Sequence, residues 1–158
     1  MQGDRQVIAM LNGQLTNELT AINQYFLHSR IFRHWGLARL GRKEYEESIG
    51  EMKHADRLIE RILMLDGLPN LQSLHKVRVG ETTPEILQCD LALEQASQSH
   101  LRDAIAHAEA VRDYVSRELL EDVLEDTEAH IDWLETQIEL IGRIGLENYQ
   151  QAMRDPAG

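Results

Sequence analysis

The chain reads as an all-α protein, a four-helix bundle with one long crossover and a short fifth helix at the C-terminus, in a single domain over 1–158. Three observations lead there. Only three of 158 residues are proline, so few positions forbid a helix. Apolar residues recur at helical spacing over four long stretches. Between the second and third of these lies 66–83, a stretch with no period that opens on Asp66-Gly67-Leu68-Pro69-Asn70.

The first helix is expected from Arg5 to about Trp35, on the spacing of Ile8, Leu11, Leu15, Leu19, Ile22 and Phe26. Gly36 and Gly41 flank a break, and a second helix follows from about Lys43 to Leu65. Helices of this length span about 35–45 Å at about 1.5 Å per residue. The period-free stretch, extended at up to about 3.3–3.6 Å per residue, can cross that distance, so the third helix starts at the far end. Thr83-Pro84-Glu85 opens it with a threonine cap, a proline in the first turn and an acid near the positive end. It runs to about Val111. The fourth extends from about Tyr114 to Ile141, closed by Gly142 and Gly145, and Leu146 to about Met153 makes the short fifth.

Net charge and cysteine content narrow the function classes. A formal charge of −11 and a pI near 5.0 argue against nucleic acid or an anionic membrane as partner. Cys89 is the only cysteine, so no internal disulfide forms and a reducing, cytoplasmic setting is expected. Its expected role is packing, as a small apolar residue. Met1-Gln2-Gly3-Asp4-Arg5 lacks an apolar signal region, and no uncharged run approaches about 18 residues.

The chemistry lies in a repeat. Glu51-Met52-Lys53-His54 places Glu51 and His54 on one helix face, about 60° apart around the axis, where both reach one metal ion. Thr127-Glu128-Ala129-His130 repeats the pattern with one carboxylate missing. Glu18 precedes Glu51 by 33 residues (51−18) and Glu94 precedes Thr127 by 33 (127−94); the halves are offset by 76 (94−18, 130−54). That spacing calls for Glu at 127. A lone Glu-x-x-His is ordinarily a solvated face, but the doubled spacing makes coincidence a poor account. Glu18, Glu51, His54, Glu94 and His130 match five of six ligands of the di-iron carboxylate bundles, one set per helix in order. Carboxylates with imidazole suit iron or manganese better than zinc. Tyr25, about 20° from the direction of Glu18, points inward as a hydrogen-bond donor or electron source for the site. His28, His34, His75, His100 and His107 lack such partners and read as surface or satisfied side chains.

The segments Asn17-Glu18-Leu19-Thr20-Ala21-Ile22-Asn23-Gln24-Tyr25-Phe26, Glu51-Met52-Lys53-His54-Ala55-Asp56, Gly67-Leu68-Pro69-Asn70-Leu71 and His130-Ile131-Asp132-Trp133-Leu134-Glu135 resemble the bacterioferritins, haem-binding members of the ferritins. The resemblance covers essentially the whole chain. It implies the ferritin-like bundle and a shell of twenty-four subunits that oxidises Fe(II) with O2 or peroxide and stores ferric mineral in its cavity. It also implies haem b between paired subunits and a ferredoxin-type reductant, and it puts the short last helix, around Tyr149, at a shell axis.

Met52 lies about 130° from the Glu51/His54 direction and so faces out of the bundle. Ser48, Ala55 and Ile59 are expected beside it in a stripe on the second helix, with Leu19, Ile22, Phe26 and Asn23 parallel on the first. On residues alone this is interface packing; the resemblance makes Met52 the axial haem ligand, one from each of two symmetry-related copies. Glu46 and Gly50 stand where a relative has a His and an Asp on the inner surface, and Gly50 cannot serve as a ligand.

Thr127 leaves three carboxylates to balance two Fe(II) ions. Asp126 and Glu128 are each rotated about 100° from position 127, and a threonine hydroxyl is a poor iron ligand. Two readings follow. Either the subunit is a ferroxidase with an altered centre, or it is the haem-binding, electron-relaying subunit of a hetero-24-mer whose second bacterioferritin subunit oxidises iron. A non-storage oxidase of rubrerythrin type is disfavoured, because no Cys-rich iron site exists.

Overall fold

The computed structural model describes residues 1–155, which leaves Pro156 outside the described residues. Five helices follow in order: α1 (Arg5–His34), α2 (Ala38–Met64), α3 (Thr83–Ala110), α4 (Tyr114–Ile144) and α5 (Leu146–Ala152). No strand occurs among the described residues, and none of the described helices is long and apolar enough to cross a membrane. α1 packs along α2, α3 along α4, and α1 against α3, whereas α2 and α4 touch only sparsely. The seam between α2 and α4 is therefore the open side of the bundle.

The helix starts follow local chemistry. Asp4 accepts from the Val7 N–H at 3.0 Å to cap α1, and Asp113 accepts from the Ser116 N–H at 3.0 Å to cap α4. The cap of α3 is Thr82, which accepts from the Glu85 N–H, one residue ahead of the threonine expected from sequence. α2 also begins earlier than expected, and Gly41 lies inside it. A Cβ there would come within 3.1 Å of the Ser29 carbonyl and of Arg33 Cγ, so Gly41 allows α1 and α2 to approach and does not break the helix. Likewise Gly142 stays helical, and Gly145 at φ +85° ends α4.

The connection from α2 to α3 is laced to α1. Asn12 bonds Leu68 O and the Asn70 N–H, Thr20 Oγ1 accepts from the His75 N–H, Gln24 Oε1 from the Arg78 N–H, and His28 Nε2 from the Gly80 N–H. Positions 12, 20, 24 and 28 climb one face of α1, so the strap runs along the bundle and satisfies its own backbone donors as it goes.

Two apolar cores fill the ends. Val7, Leu11, Leu15, Leu58, Ile62, Leu101, Leu120 and Val123 pack at one end; Phe32, Leu37, Leu40, Ile86 and Tyr149 pack at the other. Each such side chain stabilises by about 1.5–3 kcal/mol on burial. Between the cores lies a buried polar layer holding Glu18, Glu44, Glu51, His54, Asp90, Glu94 and His130. Burying these groups costs stability, so the apolar ends must offset the middle. Tyr149 is fully buried within the subunit and donates to Gln137 Oε1 at 2.8 Å, which anchors α5.

Candidate metal centre

All five sequence-derived ligands are buried, and they converge from four helices. Glu18 Oε2 and Glu51 Oε2 lie 3.5 and 3.6 Å from His54 Nδ1. In the other half, Glu94 Oε1 lies 3.2 Å from His130 Nδ1. Both histidines thus turn Nδ1 towards carboxylates. His54 Nδ1, His130 Nδ1 and Glu18 Oε2 are buried with no hydrogen-bond partner. Orphaned atoms in such numbers are rare in a folded interior and need a reason.

The surroundings fix these groups in place. Gln14 Nε2 donates to Glu18 Oε1 at 2.9 Å and touches Ser97 Oγ at 2.8 Å. Tyr25 is fully buried; its phenolic O–H donates to Glu94, and its ring meets His130 edge-on at 5.2 Å. Burial, then the charges of Glu94 and Asp90, hold that phenol well above its ordinary value, so it keeps its proton.

Charge at the site follows from burial. Desolvation raises Glu18, against the opposing pull of His54 and Gln14. Desolvation alone would lower His54, but Glu18 and then Asp126 outweigh it and bring the imidazole up to about 9. His130 moves up in the same way, with Glu94 outweighing burial. At each imidazole the neighbouring carboxylates outweigh burial.

Position 127 is buried and holds Thr. Glu128 points outward, accepting from Gln98 Nε2 at 3.0 Å, so it does not enter the site. Asp126 does reach it, at the outer ring nitrogen of His54: Asp126 Oδ2 is 2.7 Å from Nε2. A residue the repeat did not flag is Glu47, whose Oε2 lies 3.6 Å from His130 Nδ1. It is one turn before Glu51 on α2, and that helical spacing was the available signal. Glu46, Gly50, Asp126 and Ala129 help line a cleft of about 510 Å³ that opens on the α2–α4 seam and reaches His54 and His130.

His28, expected to be a surface or satisfied side chain, is satisfied within a buried cluster with Glu44 and Asp90. His28 Nε2 accepts from Gly80, so Nδ1 carries the hydrogen and donates to Asp90 Oδ1 at 2.8 Å. With both ring nitrogens engaged, His28 is poorly placed as a metal ligand. Both Glu44 oxygens and Asp90 Oδ2 lack donors from the rest of the protein. Burial, then Asp90, raises Glu44 well above the usual carboxylate range. His75, His100 and His107 are paired with Asn17, the Met10 carbonyl and Asp4. Cys89 is half-buried, with its thiol raised by burial and then Asp90, which matches a packing role.

Met52 is 52% exposed on α2, and Phe26 is exposed on α1. The outer stripe is narrower than expected: Ser48 and Ala55 are buried against α1, and Ser48 Oγ donates to the Ile22 carbonyl at 3.1 Å.

Residues 8–144 match the family model of the ferritin-like domain. The chain is 45% identical to a bacterioferritin of Brucella melitensis biotype 1 over 157 residues, covering 99% of this chain and 98% of that one. It is 48% identical to bacterioferritins of Mycobacterium leprae, with 94% of each chain covered, and of Rhodobacter capsulatus, with 94% and 92% covered. The bundle and these likenesses agree: the chain belongs to the bacterioferritins, within the ferritin-like family.

Proposed function

We propose that this chain stores and detoxifies iron, and that it takes Fe(II) as substrate at a dinuclear centre built from Glu18, Glu51, His54, Glu94 and His130. The observation that supports this is that the two histidine Nδ1 atoms and a Glu18 oxygen, all buried and unpartnered, face one another or the carboxylates of their own half of the repeat, His54 with Glu18 and Glu51 and His130 with Glu94. A cation replaces the imidazolium protons there, and oxygen and nitrogen donors suit iron. Fe(II) gives up electrons to O2 or peroxide, and the ferric product enters the mineral.

The chain's own groups each have a task. Glu18 and Glu94 bind from the two single-carboxylate helices, and Glu51/His54 and His130 bind from the paired ones. Gln14 orients Glu18. Tyr25 orients Glu94 and holds a proton against it, so an electron leaving the phenol is accompanied by that proton to the carboxylate. The α2–α4 cleft gives Fe(II) a path from the surface.

Haem b fits the outward side. Met52 presents an exposed thioether, and two copies would hold the iron between them. When bound, the group supplies electron transfer, with thioether ligation favouring the reduced state. Assembly of copies into a closed shell of twenty-four, reduced by a ferredoxin-type partner, completes the reading. Met52→Leu is expected to remove the Soret absorption while leaving the helical circular dichroism unchanged.

The missing carboxylate at Thr127 supports a second reading, in which this is the haem-bearing, electron-relaying subunit of a mixed shell. Stopped-flow oxidation of Fe(II) by single-subunit wild type and Thr127→Glu separates the two. Rapid wild-type oxidation, lost in His54→Ala, makes the chain a ferroxidase in its own right. A slow wild type rescued by Thr127→Glu assigns oxidation to a partner subunit.

A further inference from the structure

We propose that Glu47 supplies the carboxylate that Thr127 lacks, serving with His130 at the second metal position. This rests on the dinuclear reading above and names its sixth ligand. Glu47, Glu51 and His130 bring ligand atoms within 4.8 Å of one another. His130 Nδ1 is buried and unpartnered, and the two carboxylate oxygens nearest it are Glu94 Oε1 at 3.2 Å and Glu47 Oε2 at 3.6 Å. The Glu47 distance lies beyond a hydrogen bond, so Glu47 Oε2 faces His130 without being paired to it.

The halves of the repeat explain why the substitute comes from α2. Shifting Glu47 by 76 gives Val123, a buried apolar residue, so His54 has no carboxylate at the equivalent position of α4. Glu47 and Glu51 are four residues apart on one face, so both carboxylates reach across the α2–α4 seam. Thr127, being short, leaves the space that a glutamate on α4 would fill. Lys43 Nζ holds Glu47 Oε1 at 2.8 Å and rests 4.9 Å over the Trp133 ring, leaving Oε2 turned to His130. With Glu47 counted, four carboxylates face two divalent ions and the charge deficit left by Thr127 is removed.

Anaerobic Co(II) titration, read by its ligand-field absorption, tests this without any turnover. Wild type is expected to take two Co(II) per subunit. In Glu47→Gln the second should bind at least about tenfold more weakly, and Glu47→Gln combined with Thr127→Glu should restore it. Glu47 is partly exposed, so its amide variant is expected to fold. Unchanged binding in Glu47→Gln, or a wild type that takes a single Co(II), overturns the assignment of Glu47. His54→Ala distinguishes the two levels: if it binds Co(II) as wild type does, the dinuclear reading fails and Glu47 with it.

Discussion

Asp126 Oδ2 lies 2.7 Å from His54 Nε2, on the side of the imidazole away from Glu18 and Glu51. A histidine bound to metal through one nitrogen is oriented by what the other nitrogen donates to. Asp126 thus leaves Nδ1 to face the centre, although it stands beside the residue that breaks the repeat. Shifted by 76 it corresponds to Gly50, so only one histidine has this support.

Asp126→Ala should therefore weaken the metal held by His54 and leave the one at His130 unaffected. Such orienting partners contribute about 10–100-fold in affinity. Asp126 is 69% exposed, and water can take over part of its role, so about tenfold is expected. Calorimetric Co(II) binding to wild type and variant measures it.

Metal-free protein should lose stability as pH rises from neutrality. The folded imidazole of His54, brought up to about 9, sits above its ordinary 6.5. A raised folded value contributes stability that is fully present below pH 6.5 and disappears as pH climbs through about 9. The loss is on the order of 3 kcal/mol by linkage. Urea midpoints between pH 6 and 10, with chelator present, should fall for wild type and stay flatter for His54→Gln.

Glu44→Gln should stabilise the metal-free protein at pH 7. Burial and Asp90 raise the Glu44 carboxyl in the folded state, so its contribution is fully present below about 4.5 and is lost as pH rises towards the raised folded value. Glutamine keeps a donor facing Asp90 and does not titrate. The gain is expected as a higher urea midpoint at pH 7, with no gain at pH 4. A destabilised variant at both pH values would mean that Glu44 is held by contacts its amide cannot make.

The sequence by itself determined the bundle and the meeting of Glu18, Glu51, His54, Glu94 and His130 in its interior, because both are periodic. Helical spacing of apolar residues sets the four long helices, and the same 3.6-residue period puts Glu51 and His54 on one face of α2. The 33- and 76-residue intervals work because ligands from different helices meet at one level when helices of similar length are aligned. Helix ends were less legible: Gly41 reads as a breaker until α1 is seen to need its missing side chain.

What only the tertiary structure decided concerns contacts between residues with no common period. Glu47 meets His130 and Asp126 meets His54 across the open α2–α4 seam, where the inter-helix rotation fixes who faces whom. His28, Glu44 and Asp90 come from three helices, and nothing in their spacing marks them as neighbours. Ser48 and Ala55 share the outer arc with Met52 on a helical projection, yet α1 covers the first two and leaves the thioether exposed. A projection gives a side chain's direction around its own helix; burial depends on which neighbour lies in that direction, and packing alone supplies it.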